Sequence, residues 1–344
     1  MPKQRFPSEL RFDLVSRDWV VIATGRGKRP ELFKKEKKEE SRVLPKDCPF
    51  CQIRTQKKPL IVYDSGRQHN GFRLGQEAPD NWTTILIPNK YPAFLPEPPM
   101  RKIIEGGLYQ RMNAVGFHEL VVTRDHKKSL ALLPVGKVKE VFDVYQERFL
   151  QLAKHDFVSY VSIFHNHGKE AGASQPHPHS QIITTPLIDV DLKQALINSE
   201  RFFKEKGKCL SCEMQKWEKR AKTRIVFENK DFLVLCPFAS KAAFEMIVSP
   251  KQHRPYFERI SEPEKEQLAE AFKAALRKLY KGLGDPAYNF YLHTAPCDGK
   301  KYDYYHWHWT ILPKTATWAG FEIGTRMEIS TIEPERATEY LRKQ

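Results

Sequence analysis

Four histidines fall within fifteen residues of this sequence, and the last two begin the run HPHSQ at residues 177–181. β-Branched residues follow this run, which is typical of a strand. Alternate residues of a strand share a face, so His177, His179 and Gln181 are expected to point one way and Ser180 the other. A single histidine would suggest only a surface loop, but this concentration of imidazoles favours catalysis or metal binding.

Small residues precede the histidine run. Glycine, alanine and serine dominate residues 168–174, and such residues let a backbone turn tightly and approach a ligand. Their N–H groups would then be available to a phosphate. We therefore expect a phosphate-binding loop that leads directly into the strand with the histidines.

The order N-x-G-x-x-x-G-x-S followed by HPHSQ resembles the active-site signature of the galactose-1-phosphate uridylyltransferase family, a branch of the histidine-triad superfamily. The resemblance extends from about Glu9 to the C-terminus. It implies that His179 attacks the α-phosphorus and carries the nucleotidyl group covalently, and that Gln181 donates to the non-bridging oxygens. It also implies a phosphate approach lined by Asn166, Gly172 and Ser174.

The same resemblance implies further substrate contacts outside the central stretch. Arg26 and Arg29 match an R-x-x-R-P pattern whose arginines approach the nucleotide, and guanidinium groups suit phosphate oxygens. Asn89 matches an asparagine near the ribose or base. Glu322, within WAGFEIGT, matches a sugar-hydroxyl acceptor on the loop that meets the hexose. From the residues alone, the arginines could equally form a solvated basic loop and Glu322 an exposed glutamate.

Four of the six cysteines form two C-x-x-C pairs. This spacing favours metal or redox use over a disulfide framework, and two such thiolates can hold one side of a tetrahedral zinc. Thioredoxin-like redox use would require a β-α-β pattern around the pair, and the sequence shows none. The resemblance implies two closed, structural Cys2His2 zinc centres, with iron as an alternative in the second: Cys48, Cys51, His126 and His177, then Cys209, Cys212, His253 and His306.

The second half of the chain repeats the order of the first half. In each half a strand ends at a histidine, an amphipathic helix follows, and a further strand leads to a His-x-His run. The helices are expected at residues 137–155 and 264–281, the second with a capping box of Ser261 and Glu264. The histidine spacing is 51 residues from His126 to His177 and 53 from His253 to His306.

The two halves are not chemically equivalent. His308 stands at the position of His179, but Thr310 replaces Gln181 and the second half has no glycine-rich approach. We therefore expect the second half to be structural. His308 is either a spare metal ligand or a core histidine among aromatic residues.

These patterns predict an α+β fold of duplicated histidine-triad-like domains, each a mainly antiparallel sheet with packed helices. The expected domains are residues 1–190, with the reactive strand, and 191–344, with the second metal centre and the sugar loop. Elsewhere we expect two short strands within residues 10–24, an irregular region from Cys51 to Asn81, and a terminal helix over residues 333–342.

Composition limits the possible partners without choosing one. The 344 residues carry 57 Lys and Arg against 42 Asp and Glu, a formal net charge of +15, which permits nucleic acid, anionic membranes or phosphorylated small molecules. The sequence contains no apolar run of membrane-spanning length and no signal region, so a cytoplasmic protein is expected. Neither zinc-finger histidine pairs nor aromatic residues interleaved with basic ones support nucleic-acid binding.

The resemblance favours a homodimeric enzyme that moves UMP from UDP-glucose to galactose 1-phosphate, or to another hexose 1-phosphate. Gln181 stands where the hydrolase branch of the superfamily has a third histidine. A sugar phosphate leaves as a stable anion and needs little protonation, so glutamine suffices. Ser180 and the second cysteine pair keep open an ADP-glucose phosphorylase-like adenylyltransferase. A basic zinc protein that binds nucleic acid is the alternative from another class.

Overall fold

The structure, a computed structural model, describes residues 8–26, 30–33, 43–64, 66–70, 78–97 and 99–344. Arg29 and the side chain of Arg26 lie outside the described part. The strands are β1 (Glu9–Phe12), β2 (Trp19–Ile22), β3 (Ile61–Asp64), β4 (Arg67–Asn70), β5 (Trp82–Pro88), β6 (Lys102–Glu105), β7 (Tyr109–Met112), β8 (His118–Thr123), β9 (Tyr160–His167), β10 (His179–Thr185), β11 (Ile225–Glu228), β12 (Phe232–Leu235), β13 (Met246–Pro250), β14 (Tyr288–His293), β15 (His308–Pro313) and β16 (Ile329–Ser330). The helices are α1 (Val135–Leu152), α2 (Val190–Lys206), α3 (Leu210–Ala221), α4 (Glu262–Leu283), α5 (Gly320–Thr325) and α6 (Pro334–Arg342).

Eleven of the described strands form one sheet in the order β11-β12-β13-β15-β14-β9-β10-β8-β5-β3-β4. Its neighbouring strands pair antiparallel. The order is symmetric about the β14·β9 pair, since β13-β15-β14 on one side mirrors β8-β10-β9 on the other. This arrangement confirms the predicted α+β fold with a duplicated unit.

The two faces of the sheet are covered differently. α1 and α4 pack on one face, where the apolar stripe of α1 is buried in the main core with Leu86 of β5. Ile85 and Ile87 alternate with Leu86 and join a smaller core with Cys48 and Phe50 on the opposite face. The segment around the first cysteine pair therefore lies on the face away from the helices.

Several boundaries differ from those expected. α4 begins earlier than predicted but keeps the capping box, in which the N–H of Ser261 donates to Glu264 Oε2 at 2.9 Å. Strands β3 and β4 form a hairpin within the region predicted to be irregular, and WAGFEIGT contains the short helix α5 instead of only a loop. Among the described residues, every helix is too short or too polar to cross a membrane.

Candidate active site and metal centres

The structure gathers the first set of predicted metal ligands into one cluster. The Nδ1 atom of His177 lies 3.4 Å from Cys48 Sγ and 3.3 Å from His126 Nδ1, and Cys51 Sγ lies 3.1 Å from His126 Nδ1. A tetrahedral zinc with bonds of about 2.0–2.3 Å separates its ligand atoms by about 3.3–3.8 Å. The four side chains therefore fit one metal ion.

The opposite ring nitrogens of both histidines are fixed by backbone carbonyls. His177 Nε2 donates to the carbonyl oxygen of Thr123 at 2.7 Å, and His126 Nε2 donates to that of Val43 at 2.9 Å. This arrangement leaves both Nδ1 lone pairs directed at the cluster and sets the ring orientations, as is usual for metal-binding histidines.

The two thiols of this cluster resist ionising together when no cation is bound. Burial and the neighbouring Cys48 raise the pKa of the Cys51 thiol to about 11, because a second thiolate in this place would be poorly solvated and repelled by the first. A divalent metal ion reverses this balance by stabilising both thiolates.

The second set of predicted ligands forms an equivalent cluster. His306 Nδ1 lies 3.4 Å from Cys212 Sγ and 3.8 Å from Cys209 Sγ, and His253 Nδ1 lies 3.7 Å from Cys212 Sγ. The other ring nitrogens again donate to backbone carbonyls. His306 Nε2 donates to that of Pro250 at 2.9 Å, and His253 Nε2 donates to that of Asp303 at 2.6 Å. Both groups could hold a metal ion.

His179 has the hydrogen bond that a nucleophilic imidazole requires. Its Nδ1 donates to the carbonyl oxygen of His177 at 2.9 Å. A carbonyl oxygen can only accept, so the proton of the neutral ring resides on Nδ1 and Nε2 keeps its lone pair. The same residue, His177, thus belongs to the metal cluster and orients the neighbouring ring.

Burial favours the neutral form of His179. The residue is 8% exposed, and its ring contacts that of Phe50 at 4.9 Å between ring centroids. Burial lowers its pKa below the usual range, although the bond to the His177 carbonyl acts in the opposite direction. β10 begins at His179, so the predicted strand row is correct for His179 and Gln181, whereas His177 lies in a bend before the strand.

His118, which the sequence patterns did not single out, lies between two residues that they did, Asn89 and Gln181. His118, at the start of β8, accepts the N–H of Ala93 at its Nδ1 (3.1 Å), so the proton of the neutral ring is on Nε2. That Nε2 donates to Gln181 Oε1 at 2.8 Å and lies 3.0 Å from Asn89 Nδ2. With its oxygen held in this way, the amide of Gln181 keeps its NH2 group for another acceptor.

Ser180 faces the opposite side of the sheet from His179. Its Oγ lies 2.5 Å from Tyr145 Oη of α1 and 3.1 Å from His165 Nδ1 of β9. All three side chains are buried. Ser180 therefore ties the reactive strand to a helix and to the adjacent strand, as expected for a residue that points away from the reactive row.

We expect Ser180→Ala to lower the free energy of unfolding by about 1–3 kcal/mol, because it leaves the buried polar atoms of Tyr145 and His165 without their bridge. Urea unfolding measures this loss. Tyr145→Phe is the matched variant, and combining it with Ser180→Ala should cost less than the sum of the two, because one unpaired hydroxyl is removed. Strict additivity would contradict the bridging role.

The loop before the reactive strand differs from expectation in one respect. The N–H groups of Ala171 and Ala173 donate to the carbonyl of Gly168, and that of Gly172 donates to Lys169. These backbone donors are used within the loop and are not free for a phosphate. Gly172 has φ +84°, a left-handed conformation that favours glycine, and the exposed Ser174 follows in the same loop.

Three further residues singled out in the sequence have the following local surroundings. Arg26 ends a short 3-10 turn, Thr24–Arg26, after β2. Glu322 lies in α5 and its Oε2 accepts the N–H of Ala319 at 3.0 Å, so a local helix-capping contact accounts for one of its oxygens. His308 stacks on His293 with ring centroids 4.6 Å apart and is not a member of the second cluster, which favours the core interpretation.

The sequence profile described as "Galactose-1-phosphate uridyl transferase, N-terminal domain" matches residues 2–188, and the profile of the C-terminal domain matches residues 196–342. The chain belongs to this family. It is therefore an enzyme of the nucleotidyltransferase class. The two matches together account for most of the chain, including both Cys2His2 clusters and the strand that begins at His179.

The names of individual relatives in the family refer to different nucleotides. The ADP-glucose phosphorylase of Arabidopsis thaliana is 32% identical over 340 residues, covering 97% of this chain and 92% of the relative. The galactose-1-phosphate uridylyltransferase of Thermotoga maritima is 28% identical over 345 residues, covering 97% and 98%. A crystal structure of an Arabidopsis thaliana ADP-glucose phosphorylase with bound ADP-glucose has a TM-score of 0.79 and 28% identity, covering 98% of this chain and 99% of that chain.

Proposed function

We propose that this enzyme transfers UMP from UDP-glucose to a hexose 1-phosphate, galactose 1-phosphate in particular, through a nucleotidyl group held on His179. The observation that carries the proposal is the bond from His179 Nδ1 to the His177 carbonyl. That bond fixes the tautomer in which Nε2 is the nucleophile.

The proposed reaction has two displacement steps. Nε2 of His179 bonds to the α-phosphorus as the bond from that phosphorus to the bridging oxygen breaks, and glucose 1-phosphate leaves as an anion. A phosphate oxygen of the second sugar phosphate then attacks the same phosphorus and breaks the phosphorus–nitrogen bond. The free NH2 of Gln181, held by His118, would donate to the non-bridging oxygens in both steps.

In this proposal the metal centres hold the framework and take no part in the displacement. Four protein ligands close each cluster, and a closed tetrahedral site leaves no position for a substrate oxygen. A metal ion bound by Cys48, Cys51, His126 and His177 would supply a rigid anchor for the His177 carbonyl. We propose zinc for both centres, with iron as an alternative in the second, and a homodimer as the assembly.

ADP-glucose with phosphate as acceptor is a second candidate for the substrates. The Arabidopsis thaliana relatives favour it, as do Ser180 and the second cysteine pair, which depart from the usual uridylyltransferase pattern. The family profile on both halves and the Thermotoga maritima relative favour UDP-glucose. The proposed covalent role of His179 is the same in either reaction.

The donor can be decided by two linked measurements. Incubation with α-labelled UDP-glucose or ADP-glucose should leave label on the protein, and we expect UDP-glucose to label it faster. kcat/KM for each donor, with galactose 1-phosphate and with inorganic phosphate as acceptor, should also favour UDP-glucose with relaxed choice of hexose. A hydrogen-bonding site rejects a mismatched base by several kcal/mol, so a clear preference for ADP-glucose with phosphate would overturn the UDP-glucose proposal.

A further inference from the structure

Asn289 lies in the second half of the chain but contacts the candidate active site in the first. It belongs to β14, where it is paired with Asn166 of β9 at the junction of the two halves. Its Nδ2 donates to Asn166 Oδ1 at 2.8 Å and to the carbonyl oxygen of Ala171 at 2.8 Å. One side chain thus bonds both the asparagine and the loop of the expected phosphate approach.

These two bonds determine the orientation of both amides. The carbonyl of Ala171 can only accept, so the NH2 end of Asn289 must face it. The second hydrogen on that nitrogen then requires the oxygen end of Asn166. The NH2 group of Asn166 is left facing the loop, where a Cβ built on Gly172 would lie 3.9 Å from its nitrogen.

This orientation matters because three consecutive backbone donors of the loop are already used. The N–H groups of residues 171–173 all donate within the loop. A phosphate has only acceptor oxygens, so a side-chain donor beside these residues would add to its binding. The NH2 of Asn166 has the required polarity, whereas its carbonyl oxygen would repel an anion.

The same part of β14 and the turn before it contact the loop at its entry. His167 Nε2 lies 2.9 Å from Asp285 Oδ1. Gly168 passes so close to Ala287 that a Cβ on the glycine would lie 2.8 Å from the alanine Cβ. Residues 285–289 therefore form one surface against which the phosphate loop is built.

We propose that Asn289 is a positioning residue for nucleotidyl transfer. It directs the NH2 of Asn166 and the loop at residues 168–172 toward the phosphates without touching the substrate itself. The inference rests on the proposed function, since it concerns the same phosphate site. It also gives the second half of the duplicated fold a part in the chemistry of the first.

The test measures single-turnover labelling by the α-labelled nucleotide sugar that labels the wild-type protein. Asn289→Ala and Asn289→Asp should each slow labelling roughly 10- to 100-fold, the effect of one misplaced hydrogen bond to a charged group. The aspartate cannot donate to Ala171, and it accepts the NH2 of Asn166, which turns the wrong end of that amide to the phosphate. Asn289→Ala keeps the test available if the aspartate variant does not fold.

A double-variant cycle separates positioning from a merely structural role. Asn166→Ala alone should slow labelling to a similar degree, and adding Asn289→Ala should slow it little further, because Asn289 acts through Asn166. Asn229→Ala is the matched control. Asn229 likewise donates from one amide nitrogen to a carbonyl, that of Gln267 (2.8 Å), and to the carboxylate of Glu270 (2.9 Å), so it should lose stability in urea but label at the wild-type rate.

Three outcomes would overturn the inference, and one of them concerns the proposed function as well. Normal labelling by both Asn289 variants would show that the residue does not position the donor. Independent, multiplying losses in the double variant would show that it does not act through Asn166. If the wild-type protein takes label from neither nucleotide sugar, the proposed function is wrong, and the inference about Asn289 is rejected with it.

Discussion

Replacing His179 with alanine is expected to abolish labelling of the protein by an α-labelled nucleotide sugar and to lower turnover at least about 10,000-fold. The side chain is the proposed nucleophile, and the Nδ1 lone pair of His177, the other histidine of the HPHSQ run, is directed at the cysteine–histidine cluster instead. The measurement is exchange of label between hexose 1-phosphate and nucleotide sugar, together with the amount of label retained by denatured protein.

The duplicated fold offers a matched control for that experiment. His308 occupies the equivalent position in the second half, and its Nδ1 lies 3.4 Å from the His306 carbonyl. Its ring stacks on His293 and burial holds its pKa well below the usual range. His308→Ala should therefore lose stability and still take up label. Normal exchange by His179→Ala, or loss of labelling by the control variant alone, would contradict the assignment.

Local patterns in the sequence predicted much of the framework. The apolar stripe from Val138 to Leu152 is buried in α1 as expected, because a helix repeats its faces every few residues and the pattern needs no knowledge of the partner. The histidines at both ends of each repeated unit predicted the duplication. The strand order of the large sheet, which is symmetric about β14 and β9, agrees with it.

The two residues that hydrogen-bond the side-chain amides of Gln181 and Asn166 could not be predicted from such local patterns. His118 is 63 positions from Gln181, and Asn289 is 123 positions from Asn166. Such contacts depend on which strands pair and in which register, and neither is written in the local pattern. A useful signal for His118 was its place at the polar end of a strand whose alternate residues, Leu120 and Val122, are apolar.

The structure of the loop at residues 168–174 could be predicted only in part. Small residues at 168–174 correctly indicated a tight turn, and the left-handed Gly168 and Gly172 are part of it. Composition could not show where the N–H groups point. Those of residues 171–173 close a short turn around Lys169–Ala171, so in the proposed site the side chain of Asn166 supplies a donor that these three cannot.

Purified protein is expected to contain close to two equivalents of metal per chain, mostly zinc, and Cys48→Ser is expected to retain one. Elemental analysis measures both values. The same variant should lower the free energy of unfolding by more than about 3 kcal/mol, since loss of a metal site is among the largest single-residue effects. The loss in the free energy of unfolding should exceed the increase in activation free energy for labelling, because the closed first centre has no position for substrate.

The packing around the first centre explains why this loss should be large. The segment at residues 43–56 contains two short 3-10 turns, Pro45–Asp47 and Ile53–Thr55, and it covers the small core with only Cys48, Phe50 and a few neighbours. So small a contact cannot bury enough apolar surface to offset the entropy of ordering the segment. A metal ion shared with His126 and His177 would supply the missing stability.

Cys209→Ser is the matched control, since it removes a thiolate from the equivalent cluster in the second half. Cys209 caps α3, a regular helix of twelve residues, so the loss of its metal should disturb the chain around it less than the loss at Cys48. It should retain one equivalent of metal and label at nearly the wild-type rate. One equivalent or none in the wild-type protein would reject the second centre or both, and equal stability losses in the two variants would contradict the special dependence of residues 43–56 on the first.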